Sequence, residues 1–245
     1  MSQDQAVPDL PTAAPDGAAL PQGEAKVAAV RSMFDRIAPR YELVNRLLTF
    51  GMDIGWRRKT VRALALPAGS LVADLACGTG DLCRDLRAGG HRAVGFDLSL
   101  GMLRHAHGEM PTAQADILRL PLPDGCLDGI TCGFALRNLL ALEPFFEECA
   151  RVLRPGGRVA LLEVSAPRNR LLAAGHRLYF TRVVPFVGAR LSDREAYRYL
   201  PASVAYLPDP TELAAMVNRA GFVELDHRQL STGIAQLLVA TSARR

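Results

Sequence analysis

Apolar positions recur at helical spacing in the first part of the chain and form short continuous runs after it. Between Lys26 and about Leu66 they lie three or four residues apart, with interruptions at Pro39 and Gly51. We therefore expect a helical region of two or three segments there. The runs that follow alternate with amphipathic stretches such as 143–153, a pattern typical of strand-helix units around a parallel sheet. The apolar runs cover residues 71–76, 93–97, 127–134 and 158–164.

The alternation is lost after residue 168, where aromatic residues concentrate. We interpret the stretch from about 168 to 206 as an insertion with a lipid-facing groove, and an ordinary core is the alternative. The chain then closes with a predicted helix at 211–220 and two strands at 222–226 and 235–241, joined through residues 231–233. The aromatic residues of the insertion are Tyr179, Phe180, Phe186, Tyr197, Tyr199 and Tyr206.

Length and composition predict one folded α/β domain at 25–245. The chain has 245 residues, of which 49% are hydrophobic and 22% charged, enough to bury one large core. Residues 1–24 contain four prolines and no basic residue, so we expect a disordered tail.

Charge and cysteine content exclude several classes of protein. The net charge is +4, without a run of five basic residues, so nucleic acid is not expected as a partner. The five cysteines form no CxxC pair or Cys/His cluster, which argues against disulfides and a metal site. No stretch of 18 apolar residues occurs. We expect a cytoplasmic protein; a peripheral location at the inner face of the membrane stays open.

A glycine turn follows the first predicted strand, in the sequence Leu-Val-Ala-Asp-Leu-Ala-Cys-Gly-Thr-Gly-Asp at 71–81. Gly78 and Gly80 let the backbone turn tightly and approach a ligand, and the helix start behind them offers free N–H groups. A dinucleotide fingerprint requires a third glycine at the position of Cys83. Asp74, which precedes the turn, suits a ligand with an ammonium group, and S-adenosylmethionine has one.

Two more acids end the next predicted strands. Asp97 lies 17 residues after Gly80, close to the spacing at which a carboxylate accepts hydrogen bonds from a ribose. The third strand is predicted to end at Ala115-Asp116, where Asp116 could bind the exocyclic amine of adenine. Each acid alone could be a solvated loop residue or a helix cap, but three at successive strand ends favour a nucleoside ligand.

Several further motifs resemble the ubiquinone and menaquinone biosynthesis C-methyltransferase family, within the class I methyltransferases that use S-adenosylmethionine. The resemblance covers roughly residues 26–243. The chain departs from the family at Cys77 and Ala135, where glycine is frequent, at Gly133, where serine is frequent, and at 139–142, which is less polar. The motifs are Met33-Phe34-Asp35-x-Ile37-Ala38 with Tyr41, Asn45 and Leu48; Gly51-Met52-Asp53 and Trp56-Arg57; Phe134-Ala135-Leu136-Arg137-Asn138; Arg151 to Gly157; Leu162 to Ser165; Tyr197, Tyr199, Leu200 and Ser203; Pro208; Gly221-Phe222; and Thr232-Gly233-Ile234.

This resemblance implies a Rossmann-like fold with a seven-stranded, mostly parallel sheet, whose active site is covered by the amino-terminal helices and by 168–206. It also implies transfer of a methyl group from S-adenosylmethionine to a ring carbon of demethylmenaquinol, a lipid-soluble quinol. The alternatives are a polyprenyl benzoquinol, another aromatic natural product, and a regulatory protein that only binds the cofactor. A homodimer stays open.

Catalytic roles are predicted for Arg137, Asn138 and Tyr41. Arg137 could lower the pKa of a phenol, or it could pair with a carboxylate at the end of its strand. Tyr41 and Asn45 lie four residues apart, on one helical face, and could point into a pocket together. A core-facing Tyr with a capping Asn is the alternative. The residues predicted to bind the cofactor are Asp74, Gly78, Thr79, Gly80, Asp97, Leu98, Asp116, Ile117 and Gly133.

Overall fold

A seven-stranded sheet forms the centre of the computed structural model, which describes residues 23–106, 108, 110–167 and 169–243. The strand order is β3-β2-β1-β4-β5-β7-β6, and β7 alone runs antiparallel to its neighbours. This confirms the predicted mostly parallel α/β sheet. The strands are β1 (Leu71–Leu75), β2 (Arg92–Asp97), β3 (Thr112–Gln114), β4 (Leu127–Gly133), β5 (Leu153–Val164), β6 (Phe222–Leu230) and β7 (Ala235–Ser242).

Helices flank the sheet and precede it. The predicted helical region consists of three α-helices, and its interruptions fall where Pro39 lies in a 3-10 turn and where Gly51 adopts a φ of 73°. The helices are α1 (Gly23–Ile37), α2 (Tyr41–Leu48), α3 (Met52–Ala63), α4 (Asp81–Ala88), α5 (Leu100–Arg104), α6 (Leu142–Val152), α7 (Arg170–Leu178), α8 (Val184–Leu191), α9 (Arg194–Ser203) and α10 (Pro210–Arg219).

The core has three parts. Two apolar clusters cover the two faces of the sheet, which is why β1 and β4 read as nearly continuous apolar runs. The third cluster joins α1 and α2 to α5, α8 and α9, through side chains such as Met33, Val44, Val184 and Tyr197. The described part of the insertion, 169–206, is mainly helical and packs with the amino-terminal helices as one cap.

The largest differences from the predicted boundaries are four. Helix α1 begins at Gly23, so the last two residues of the predicted tail are helical; residues 1–22 lie outside the described part. The third strand ends at Gln114, so Asp116 lies two residues beyond it. Strand β5 begins at Leu153, five residues before the predicted run at 158–164. Residues 155–157 lie in a bulge inside it, because residues on both sides of them pair with β4. Strand β6 continues to Leu230; its polar second half is half-exposed at the sheet edge, which hid it from apolar patterning.

Candidate active site

Two neighbouring cavities lie where the parallel strands β1, β2 and β4 end, the usual ligand position in open α/β sheets. The larger has a volume of 470 Å³ and the smaller 170 Å³. They have a common wall built from the glycine turn, the end of β4 and the start of α2. Its residues are Tyr41, Ala76, Gly78, Gly133 and Phe134.

The glycine turn forms part of this wall, and its backbone lies in the left-handed region. Ala76, Gly78 and Gly80 all have positive φ, of 55°, 56° and 85°, and the Gly80 N–H closes the turn on the Cys77 carbonyl at 2.9 Å. A Cβ at Gly78 would meet no atom within 4 Å, whereas one at Gly80 would lie 2.3 Å from Cε of Met110. Gly78 therefore faces open ligand space. Gly80 does not border either cavity in the described part of the chain, and its role is to close the turn.

Asp74 lies buried on β1 at the floor of the larger cavity. Oγ1 of Thr131 donates to one carboxyl oxygen at 2.8 Å, and Sγ of Cys83 donates to the other at 3.6 Å. Burial raises the pKa of Asp74 to about 7, because removing a carboxylate from water favours its neutral form. A positive group in the cavity would lower that pKa again.

The other two predicted acids border the smaller cavity. Asp97 accepts from the Gly78 N–H at 2.8 Å and from the Ser99 N–H at 2.7 Å, so it also fixes the glycine turn. The helix cap of α5 is Ser99 itself. Asp116 accepts from the Leu118 N–H at 2.9 Å.

The remaining predicted cofactor residues are divided between the two cavities. Thr79 borders the larger one, Leu98 and Ile117 border the smaller one, and Gly133 borders both. Helix α1 closes the smaller cavity with Val27, Val30, Arg31 and Phe34. The sequence prediction had not assigned α1 to the cofactor site.

Tyr41 and Asn45 both border the larger cavity, as their spacing on one helical face predicts. The Tyr41 side chain is half-buried. Desolvation raises the pKa of its phenol, while a hydrogen bond with Asn45 and the charge of Arg137 act in the opposite direction. The phenol is therefore protonated at neutral pH.

Arg137 and Asn138 face different cavities. Nη1 of Arg137 donates to Oε1 of Glu163 in a buried ion pair, and Nε donates to Oγ of Ser203 at 3.1 Å. Arg137 still borders the larger cavity, whereas Asn138 borders the smaller one and accepts from the Tyr199 hydroxyl at 3.3 Å. The three predicted catalytic residues therefore do not converge on one point.

A buried cluster around Arg57 was missed by the sequence analysis. Its guanidinium lies 2.5 Å from Asp53, 3.1 Å from Asp81 and 3.3 Å from Asp85, which joins α3 to the start of α4 beside the larger cavity. Burial raises the pKa of Asp81, and the charge of Arg57 opposes that rise. The spacing of Asp53 and Arg57, four residues apart on one helix, is the signal that could have revealed it.

Apolar side chains make the outer part of the larger cavity. They come from the end of α2, the turn after it and the start of α3, from α7, α8 and the π-helical turn Tyr179–Val183 between them, and from the turn before β7. A ring system with an apolar tail could lie against this wall. The side chains are Leu48, Phe50, Met52, Leu171, Leu172, Tyr179, Phe180, Val184 and Ile234.

Comparison with known proteins agrees with this geometry. The model of the ubiE/COQ5 methyltransferase family matches residues 22–242. The chain belongs to the ubiE/COQ5 methyltransferase family. Membership confirms the predicted family and the predicted enzyme class, a methyltransferase that uses S-adenosylmethionine.

Two relatives illustrate the family. The ubiquinone/menaquinone biosynthesis C-methyltransferase UbiE of Syntrophotalea carbinolica is 44% identical over 216 residues, which cover 84% of this chain and 91% of the relative. The demethylmenaquinone methyltransferase of Thermus thermophilus is 43% identical over 217 residues, with 84% and 98% covered.

Solved structures share the fold. A methyltransferase of Thermotoga maritima matches with a TM-score of 0.62 at 19% identity, covering 87% of this chain and 99% of that one. A phosphoethanolamine N-methyltransferase of Haemonchus contortus, solved with S-adenosylmethionine, matches with a TM-score of 0.54 at 13% identity, covering 73% and 50%. These likenesses confirm the predicted class I fold.

Proposed function

We propose that this methyltransferase places a methyl group on a ring carbon of a reduced polyprenyl quinone precursor, with demethylmenaquinol as the preferred substrate. The observation that carries the proposal is the pair of adjoining cavities, one bordered by acids at strand ends and the other continued by an apolar wall. The names of the relatives support the choice of ring. A polyprenyl benzoquinol remains the second substrate, since one relative is named for both pathways.

The charges around the cavities fit a cationic cofactor. Asp97 and Asp116 border the smaller cavity with one basic residue, Arg31. Three carboxyl groups and two guanidinium groups border the larger cavity. When Asp74 is ionised, each set has one more acid than base, and S-adenosylmethionine carries a sulfonium and an ammonium against a single carboxylate.

In this proposal each end of the cofactor has its own residues. Asp97 accepts hydrogen bonds from the ribose hydroxyls, while Asp116 binds the adenine amine between Leu98 and Ile117. Asp74 pairs with the ammonium group. The turn around Gly78 and Thr79 and the backbone at Gly133 contact the methionine end, where open space lies beside Gly78. When bound, S-adenosylmethionine supplies an electrophilic methyl group.

The chain's own residues must favour the electron-rich form of the ring. A phenol with a pKa near 10 is almost wholly protonated at neutral pH, and its anion donates far more electron density to the ring. Two guanidinium nitrogens of Arg137 are engaged by Glu163 and Ser203, so Nη2 is the atom that we assign to the ring hydroxyl. Tyr41, held by Asn45, lies in the wall common to both cavities and orients the same hydroxyl. We assign no ring contact to Asn138, because it borders the smaller cavity alone.

The substrate is lipid-soluble, so the proposal includes a peripheral contact with the membrane. The regulatory alternative needs only the acids and the glycine turn. The apolar wall of the larger cavity would have no use in a protein that merely binds the cofactor, so the enzyme is favoured.

Methyl-labelled S-adenosylmethionine tests the function. The protein is incubated under anaerobic conditions with chemically reduced demethylmenaquinol, a benzoquinol and a simple phenol, and the products are identified by mass spectrometry. We expect label on the naphthoquinol ring carbon, less label with Asp97→Ala at a cofactor concentration near the wild-type dissociation constant, and normal labelling with the exposed control Asp226→Ala. If only the benzoquinol or only the phenol is labelled, that compound replaces demethylmenaquinol as the proposed substrate. Cofactor binding without label on any ring would favour the regulatory protein.

A further inference from the structure

The segment from 169 to 192 carries the net charge of the protein. It contains four arginines and no acid, so its formal charge equals the +4 of the whole chain and the remainder sums to zero. Arg170, Arg177, Arg182 and Arg190 are all exposed. Within the part of the chain that the structure describes, none of the four pairs with a carboxylate.

The same segment exposes large apolar side chains. Leu171 is 85% exposed, and Leu178 lies seven residues later on the same face of α7, with 54% of its area exposed. Val183 and Phe186 continue the exposed apolar surface along the π-helical turn and α8. Arg190 lies over the Phe186 ring at 4.4 Å, so a cation and an aromatic ring share one surface position.

Phe50 extends this surface across to the turn after α2. Its side chain is 77% exposed, and its ring lies 5.9 Å from that of Tyr179. The Tyr179 hydroxyl donates to the Leu48 carbonyl at 2.8 Å, which joins the π-helical turn to the end of α2. We call Phe50, Leu171, Leu178, Val183 and Phe186, with the four arginines, the docking surface.

The docking surface forms the mouth of the larger cavity. Phe50 and Leu171 belong to both the surface and the lining of that cavity. An apolar molecule that reaches the surface can therefore continue into the cavity over apolar side chains. Exposed apolar area of this kind marks an interaction site when it is contiguous.

We propose that the docking surface lies on an anionic lipid bilayer and that the quinol enters the larger cavity directly from the acyl layer, the second part resting on the proposed function. Apolar side chains beside arginines are the pattern of segments that lie in a membrane interface. Each basic side chain near an anionic surface adds attraction. A second copy of this chain fits less well, because a two-fold contact would bring the four arginines against their own equivalents.

Vesicle flotation tests the docking. The wild-type protein is mixed with vesicles of phosphatidylcholine alone or of phosphatidylcholine with one quarter phosphatidylglycerol, at low salt and at 0.5 M NaCl. We expect binding to the anionic vesicles at least about tenfold stronger than to the neutral ones, and weaker binding at high salt because charges at a surface are screened.

Two variant pairs separate the apolar from the ionic contribution. Leu178→Ser/Phe186→Ser and Arg177→Gln/Arg182→Gln should each weaken binding by about tenfold or more. Val223→Ser and Arg92→Gln/Arg104→Gln, at exposed positions elsewhere, are matched controls and should bind like the wild type. Circular dichroism melting checks that all variants are folded.

Activity separates this inference from the proposed function. With a short-chain quinol in solution the Leu178→Ser/Phe186→Ser protein should keep the wild-type rate, while with a long-chain quinol in vesicles it should lose about tenfold or more. Equal binding to neutral and anionic vesicles, no effect of the surface variants, or a solution dimer that these variants split would overturn the docking surface. Vesicle binding without any methylation would overturn the proposed function alone.

Discussion

The guanidinium of Arg137 and the carboxylate of Glu163 form a buried ion pair, with side chains only 6% and 2% exposed. Arg137 lies in the turn after β4, Glu163 lies in β5, and Oγ of Ser203 in α9 accepts a hydrogen bond from Nε of Arg137 at 3.1 Å. The pair thus links the sheet to the cap beside the larger cavity. The pair agrees with the alternative that Arg137 binds a carboxylate, although that carboxylate lies on the neighbouring strand β5. It gives Arg137 a structural role whatever its part in catalysis.

Substitution of Arg137 should therefore affect stability as well as rate. Arg137→Ala leaves Glu163 buried without its partner, so we expect a loss of about 3 to 5 kcal/mol of unfolding free energy in urea titrations. The methylation rate should fall about 100-fold or more, and the rising limb of the pH–rate profile should move to higher pH. Ser203→Ala, which removes the hydrogen bonds of Oγ with Arg137 and with the Leu200 carbonyl, should cost about 1 to 2 kcal/mol.

The double variant Arg137→Met/Glu163→Met separates the two roles. It removes both charges, so most of the lost stability should return, whereas the rate should stay low. Recovery of the wild-type rate together with stability would restrict Arg137 to a structural role.

Asp97→Ala should weaken S-adenosylmethionine binding by about 1 to 3 kcal/mol, because the ribose hydroxyls lose a charged acceptor. The glycine turn also loses its contact with the Gly78 N–H. Asp97→Asn keeps one acceptor oxygen, so its cofactor affinity, measured by calorimetry, should lie between those of Asp97→Ala and the wild type. Unchanged affinity in the Ala variant would remove Asp97 from the cofactor site.

The raised pKa of Asp74, about 7, makes cofactor binding depend on pH. An ammonium group pairs with the ionised carboxyl, which is scarce at pH 5.5 and half populated at pH 7, so affinity should rise about tenfold over that range. Asp74→Asn should bind weakly and without this slope. If wild-type affinity is flat from pH 5.5 to 7, the ammonium group is held elsewhere.

The raised pKa of Asp74 makes folding stability depend on pH in the opposite direction, because stability falls as pH rises. Because the folded protein holds the proton of Asp74 more tightly than the unfolded chain, the stability that this group contributes is full below about pH 4 and is lost as pH rises towards 7. The unfolding free energies of wild type and Asp74→Asn, measured by urea titration, should therefore be similar at low pH. At neutral pH they should differ, and the Asp74→Asn variant should be the more stable protein.

Only the reduced quinol should accept the methyl group, because oxidation removes the electron donation that makes the ring carbon nucleophilic. Anaerobic assays of the reduced and oxidised forms of one substrate, with products separated by chromatography, test this. Similar turnover of the two forms would exclude attack by an activated ring carbon.

Local sequence determined much of this protein. Apolar spacing predicted the helices before β1 and most strands, because periodicity reflects which face of each element is buried. The acids Asp74, Asp97 and Asp116 and the glycine turn were predicted from their places at successive strand ends, and they border two adjoining cavities. Parallel strands bring such ends together whatever their separation along the chain.

Only the tertiary structure decided the partners of these groups. Thr131 reaches Asp74 because β4 pairs with β1 in one register, and Glu163 reaches Arg137 across 26 residues. Asn138 turns to Tyr199, away from the larger cavity. Such contacts depend on strand register and on how the cap helices pack, which are set by the burial of many distant side chains together and leave no local pattern in the sequence.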